Sequence, residues 1–331
     1  MKIKEVAGID VSNATLDVFI HSTGQRNVFD NRYKGHVKLM DWVLENSGSS
    51  KENILFVLEH TGLYSHNISG FLASKGLSFH MVSGLEVKRS LGITRGKSDQ
   101  VDAQRIAQYA YRLREELVLR PNTDIRIKRL KAIFSLRTKI VRQRAGFKAT
   151  LKEQQGVLDH EDYQILFDVQ KNLIGSLSNE ILKLEKEMMG IVKEDKELIH
   201  MYGLITGIKG VGKMSALLII IYTNRFTKFK TWRKFASYSG TAPFPHQSGT
   251  SVNGRSKVSH FANKEIKSML NMCAISAIQH NTEMSLYYQR RTEQGKNKMS
   301  TLNIVRNKLI ARIFAVVKRG TAYQAKLKLA S

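Results

Sequence analysis

Over residues 1–120 the apolar positions either alternate with a period of two or run on unbroken, and turn residues divide the runs. Val6 to Val11, Leu16 to His21 and Gln25 to Asp30 predict three strands, with Ser12-Asn13 and Thr23-Gly24 as the turns between them. Val37 to Leu44 has helical periodicity. Ile54 to Leu58 is continuously apolar, as in a strand covered on both faces. Tyr64 to Ser74 predicts a helix, Leu77 to Val82 a strand and Asp99 to Leu113 a further helix. Three strands, then helix, strand, helix, strand, helix, make an α/β domain.

The pattern changes over 121–200. Ile133, Leu136, Ile140, Phe147 and Leu151 mark one long helix, and Ile165, Val169, Leu173, Leu177, Ile181, Leu184 and Met188 mark another. Charged residues fill the other faces. Two such helices predict a helical hairpin or a coiled-coil arm; the arm serves either as a spacer packed on itself or as a means of oligomerisation. Residues 201–331 predict a mainly helical third segment. It is interrupted by a loop, Ser239 to Ser259, that contains Gly240, Pro243, Pro245, Gly249 and Gly254. A loop that long within a compact domain is usually functional or disordered.

Charge narrows the choice of partner. The formal net charge is +25, which calls for a polyanion. The longest apolar run, near Ala216 to Ile221, is far short of the ~20 residues that a membrane span needs. The N-terminal stretch does not read as a signal peptide. A single cysteine, Cys273, excludes an internal disulfide and a cysteine zinc cluster, and its apolar helical setting predicts that it only packs. These features fit a cytoplasmic protein that handles nucleic acid.

Four acids are placed for chemistry. Asp10 follows the apolar Val6 to Ile9, and Glu59 directly follows Ile54 to Leu58. Asp99 and Asp102, three apart, share one face of a helix. Taken singly, Asp10 could begin a turn and Asp99 could cap a helix. Taken together, converging carboxylates repel unless a hard cation joins them, and Mg²⁺ (or Mn²⁺) accepts such oxygen ligands beside substrate phosphates.

The stretches GIDVSNATLDV, LEHTGLY and TRGKSDQVDAQRIA resemble the insertion sequence 110 family of transposases. The resemblance implies an RNase H-like, RuvC-type fold with parallel first and fourth strands, and a DEDD metal site formed by Asp10, Glu59, Asp99 and Asp102. An actin-like kinase, which shares that fold, would leave Asp99 and Asp102 without a task.

Further on, Leu204 to Leu218 reads LITGIKGVGKMSALL. Gly210 and Gly212, followed by Lys213, look like a helix-hairpin-helix that would let the backbone approach a phosphate; an ordinary tight turn between helices is the alternative. Met214 rules out a phosphate-binding P-loop. In FASYSGTAPFPHQSGTSVNGRSKVSHFANK, the family resemblance implies that Ser248 is the nucleophile, with Gly249 beside it. By the same resemblance Arg255, Lys257, Lys264 and Asn263 are nucleic-acid contacts, and Ala262 stands where the family usually has glycine. Arg290 and Arg291 belong to a one-sided basic run toward the C-terminus that suits a nucleic-acid backbone. Tyr287 and Tyr288 suit either base stacking or packing.

The expected function is thus DNA strand cleavage and exchange through a phosphoserine link. A junction-resolving nuclease that uses water, and a binding protein with a decayed site, are the alternatives. The resemblance further implies a homo-oligomer, a dimer or tetramer, and a structured bridge RNA that selects the DNA sites.

Overall fold

The computed structural model describes residues 3–90, 99–117, 124–159, 161–248 and 252–324. Two compact units divide the chain, Met1–Asn122 and Thr123–Ser331. The basal parts of the predicted arm and the C-terminal helices share one core in the second unit. Among the described residues no helix is long and apolar enough to cross a membrane.

The first unit is a five-stranded mixed sheet in the order β3-β2-β1-β4-β5. Its strands are β1 (Glu5–Val11), β2 (Thr15–Ile20), β3 (Arg26–Asp30), β4 (Ile54–Glu59) and β5 (Phe79–Val82). β1, β2 and β3 form an antiparallel meander, while β4 lies parallel to β1 and β5 parallel to β4. α1 (Tyr33–Asn46) and α2 (Tyr64–Ser74) cover one face. α4 (Asp99–Arg112) covers the other. A short helix before it, α3 (Gly84–Ser90), was not expected: its few residues bury Val87 alone and leave no periodic trace.

The second unit opens with α5 (Ile125–Gln155) and α6 (Gln164–Lys193), which pack along each other. Side-chain bonds from Arg129 to Glu187, Arg137 to Glu185, Arg144 to Ser178 and between Gln154 and Gln170 show that they run antiparallel. The seam on α6 is Phe167, Gln170, Ile174, Leu177, Ile181, Leu184 and Met188, at alternating spacings of three and four. This corrects the apolar stripe expected from the sequence. Ile165, Val169 and Leu173 are exposed, as are Leu136 and Phe147 on α5, whereas Leu177, Ile181, Leu184 and Met188 stand on the seam as expected. α6 carries two apolar stripes, and period alone cannot tell which of them faces α5.

The remaining helices are α7 (Lys196–Thr206), α8 (Lys213–Thr223), α9 (Trp232–Tyr238), α10 (Lys264–His280), α11 (Thr282–Glu293) and α12 (Lys298–Arg319). α8 is apolar nearly all round and is buried from Ala216 to Ile221, so the longest apolar run of the chain is a core helix. Asp124, Asp195, Thr231, Asn263, Asn281 and Asn297 each cap a helix by accepting a backbone N–H. Cys273 is buried in this core, as its setting predicted, and burial pushes its thiol pKa up. Within the expected loop Ser239–Ser259, residues 243–248 and 252–258 pair instead as an antiparallel hairpin, β6 (Pro243–Ser248) and β7 (Val252–Val258). Glycine and proline hid it. Pro243 and Pro245 bring no N–H to a ladder, and the register shifts between Phe244 and His246.

Candidate active site

Side chains alternate across a strand, so packing partners assign each face of the sheet. Val6, Phe19, Leu55, Val57 and Val82 lie under Ala103, Ile106, Ala107 and Ala110 of α4. The same alternation turns Asp10, Asp17 and Glu59 toward the α4 face. Asp10 ends level with Glu59, because the adjacent pair in the parallel register is Ile9 with Leu58. Asp17 sits directly opposite Asp10 on β2 and is buried.

Gly8 is what lets α4 come this close. A Cβ on Gly8 would lie 2.4 Å from the Ala103 carbonyl oxygen and 2.5 Å from the Ala107 nitrogen. The direction of α4 follows from two contacts. Arg26, whose strand partner Phe19 pairs with Gly8, donates to Gln104 at 2.6 Å. His21, beyond the Ala7–Ile20 pair, stacks on Tyr111 at 3.8 Å. The helix therefore runs against β1, and its first turn, with Asp99 and Asp102, lies toward the Asp10 end of the sheet.

Asp10 Oδ1 accepts the Val11 N–H at 3.0 Å. Glu59 lies against α3: a Cβ on Gly84 would meet Glu59 Oε1 at 2.2 Å, so glycine there leaves room for the carboxylate. Asp102 pairs with Arg105 at 3.0 Å while 24% exposed. Asp99 opens α4, and its side chain lies outside the described residues. Among the described residues no three carboxylate, imidazole or thiol groups stand close enough to hold a metal ion. Sequence reading passed over Asp17, Gly8 and Gly84. Register counted across the Ser12–Thr15 turn would have found Asp17, whereas the two glycines carried no separate signal.

The candidate residues of the second unit lie on several elements. Ser248 ends β6 opposite Val252; Gly249 and the rest of the tip lie outside the described residues. Arg255 belongs to β7, and Lys257 pairs with Phe244 and is exposed. Asn263 caps α10, accepting the Ile266 N–H at 3.0 Å, and Lys264 is the exposed first residue of that helix. At the hairpin root Gly240 has φ +67°, and a Cβ on it would meet the Ala262 Cβ at 2.3 Å. The alanine before Asn263 is accommodated by a glycine across from it. Nearby, Tyr222 donates to Glu265 at 2.5 Å; burial first, then this bond, pushes its phenol up to about 12.

Gly210 has φ +100° and would press a Cβ into Ala277 at 2.6 Å, so its bareness serves packing against α10. Gly212 differs: it caps α8 with open space around it, next to exposed Lys213. Arg290 lies over the Tyr287 ring at 5.9 Å, and Arg291 donates to Gln294 at 3.1 Å. Tyr287 and Tyr288 pack on the core.

Comparison with known proteins matches both units. A transposase profile of the DEDD, IS110 type covers residues 7–159, and that of the transposase IS116/IS110/IS902 family covers residues 202–289. The pilin gene-inverting proteins of Moraxella bovis and Moraxella lacunata are each 26% identical over 98% of this chain and 99% of their own length. The insertion element IS110 43.6 kDa protein of Streptomyces coelicolor is 24% identical over 47% of this chain and 39% of its own. With the acid-bearing sheet and the helical second unit each matched to the same group, the chain belongs to the IS110 family of transposases.

Proposed function

We propose that this transposase cuts and exchanges DNA strands by using Ser248 as a nucleophile, with Asp10, Glu59, Asp99 and Asp102 as the ligands of a divalent metal in an RNase H-like domain. One observation carries the reading: Asp10 and Glu59 share a level and a face of the sheet, at the end where α4 begins with Asp99 and Asp102. All four donors are carboxylate oxygens, the set a hard ion such as Mg²⁺ or Mn²⁺ takes. Among the described residues Asp102 pairs with Arg105, one turn along the same helix, and a bound cation would take over that charge partner's role. The bound ion would polarise the scissile phosphate.

In the cleavage step the Ser248 oxygen forms a bond to phosphorus and loses its proton. The displaced sugar oxygen leaves with a proton of its own. The resulting phosphoserine ester retains the energy of the broken linkage for rejoining. The relatives' name favours this course over hydrolysis: inverting a gene requires every cut end to be resealed. Lys257, Lys264, Arg255 and Asn263 hold DNA near the hairpin, and Gly212 with Lys213 offers a helix N-terminus to a phosphate in helix-hairpin-helix fashion. Gly210, packed on Ala277, supports that turn from behind.

Residues 121–200 act as a coiled-coil arm and residues 201–331 as the strand-transfer part. The exposed Ile165, Val169 and Leu173 stripe supports pairing with a second copy in a dimer or tetramer. The charge of +25, with no base-reading module in the sequence, supports a bridge RNA that chooses sites by base pairing, held by Arg290, Arg291 and the basic arm. Denaturing electrophoresis tests the chemistry. A protein–DNA adduct should form with wild type and disappear with Ser248→Ala or with EDTA, and an adduct from Ser248→Ala would overturn the assignment. Sequencing RNA that copurifies from cells carrying the native flanking DNA tests the guide; site-specific recombination unaffected by ribonuclease would refute it.

A further inference from the structure

The hairpin that carries Ser248 leaves the helical body at Thr241, a fully buried residue. The backbone carbonyl of Thr241 accepts from two side chains of α12, Asn303 Nδ2 at 2.8 Å and Asn307 Nδ2 at 2.9 Å. Its hydroxyl lies 3.1 Å from Asn307 Oδ1 and 3.2 Å from the Ala236 carbonyl oxygen, one proton serving either. Asn303 Oδ1 in turn accepts from Arg306 at 3.3 Å. A guanidinium can only donate, so Arg306 fixes which way the Asn303 amide points and directs its NH₂ at Thr241. The other arm of Arg306 donates to Asn271 on α10.

Arg306 is 6% exposed, and among the described residues its partners are those two neutral amide oxygens. Its Nε has none. Burying a cation without a carboxylate is unfavourable. What the arrangement gains is a rigid joint: α10, α12 and the chain entering β6 meet at one set of hydrogen bonds.

We propose that Asn303, Asn307 and Arg306 are positioning residues for strand cleavage, setting the angle at which the hairpin leaves the body and hence where Ser248 stands. This rests on Ser248 as the nucleophile. β6 has six residues and spans roughly 20 Å at about 3.3 Å per residue. A tilt of about 5° at the root then moves the tip by about 1.7 Å, and a misplacement of about 1 Å costs on the order of 100-fold in rate.

The test uses the full chain with its copurified nucleic acid and a duplex carrying the element end. For Asn303→Leu and Asn307→Leu, the single-turnover rate of adduct formation at saturating DNA should fall about 10- to 100-fold. Half-saturating DNA should stay within about twofold, because Thr241 and Arg306 are buried and the Asn303 and Asn307 amides are turned onto Thr241, while hairpin amides exchange faster with solvent. An unchanged rate, or a loss no larger than the fraction unfolded, overturns the proposal. If both variants fail to fold, Asn303→Asp decides: it keeps an oxygen for Arg306 and removes the Nδ2 donor to the Thr241 carbonyl, so a slower cleavage step with unchanged DNA binding supports the joint, and wild-type kinetics refute it. Ser248→Ala run beside them separates the two ideas. Adducts from that variant would remove the premise, whereas their loss with normal Asn303→Leu and Asn307→Leu kinetics would remove only the joint.

Discussion

The two units hold their candidate chemistry in opposite ways. In the first, Asp10 and Glu59 stand at the ends of adjacent strands inside a sheet covered on both faces, and strand register alone makes them neighbours. In the second, Ser248 stands at the far end of a two-stranded ribbon fixed at its root. A group built into a sheet cannot move without moving the core. A group on a ribbon can swing, and its accuracy depends on a few hydrogen bonds elsewhere.

The largest expected effect tests the fixed half. Glu59→Gln and Asp10→Ala should each slow adduct formation by about 1000-fold or more, the loss of a several-kcal/mol interaction with the phosphate. DNA binding, measured by electrophoretic shift, should stay near wild type, since the affinity comes from the cations. Weakened binding in step with lost cleavage would mean that the acids organise the fold instead.

Gly8→Val should come next. The added carbon atoms meet backbone of α4, not a side chain that can turn aside. Overpacking of this kind costs about 1–3 kcal/mol, so the first unit should melt several degrees lower while the second is unchanged. Gly84→Ala is milder, because the atom it meets is the mobile end of Glu59. Cleavage should fall about tenfold by displacement of the carboxylate, with little change in melting; an unaltered rate would show that Glu59 is not confined there.

The smallest effect is acidic. Asp195 and Asp124, the caps of α7 and α5, both have carboxyl pKa values below the ordinary range. For Asp195 the Leu198 N–H is the chief cause, helped by Arg225 and Arg126. For Asp124 burial pushes upward, but bonds from Arg126 and Arg225 outweigh it. A lowered folded pKa stabilises above the unfolded value, about 3.9, and that contribution disappears as pH falls through the folded values. The second unit should therefore lose melting temperature below about pH 4, and Asp195→Asn should flatten that decline. An identical decline in the variant would exclude this carboxyl as its source.

Much of the first unit was legible in the sequence because a covered sheet writes plain rules into its strands: β4 reads Ile54 to Leu58 without a polar break, and Glu59 marks its end. Asp17 escaped notice since its importance is a matter of register, which period does not display. The hairpin escaped because Pro243, Pro245 and Gly254 look like loop. The first half of the α6 seam was misread in phase, as Leu173 and Ile174 are equally apolar and only the partner helix distinguishes them, while Leu177, Ile181, Leu184 and Met188 were legible.

That seam has a consequence for how this arm can change in length. Arg137 and Arg144 of α5 bond beside it to Glu185 and Ser178 of α6. Sliding one helix along the other would strand two guanidinium groups, so the pair works as a ruler with engraved marks. At 1.5 Å per residue the 30 residues of α6 measure roughly 45 Å. Insertions or deletions that respect the marks must come in sevens and in both helices together, each step changing the ruler by about 10 Å. A change of any other size in one helix alone would twist its mate out of register, so the tolerated lengths of the arm should form a ladder of discrete rungs.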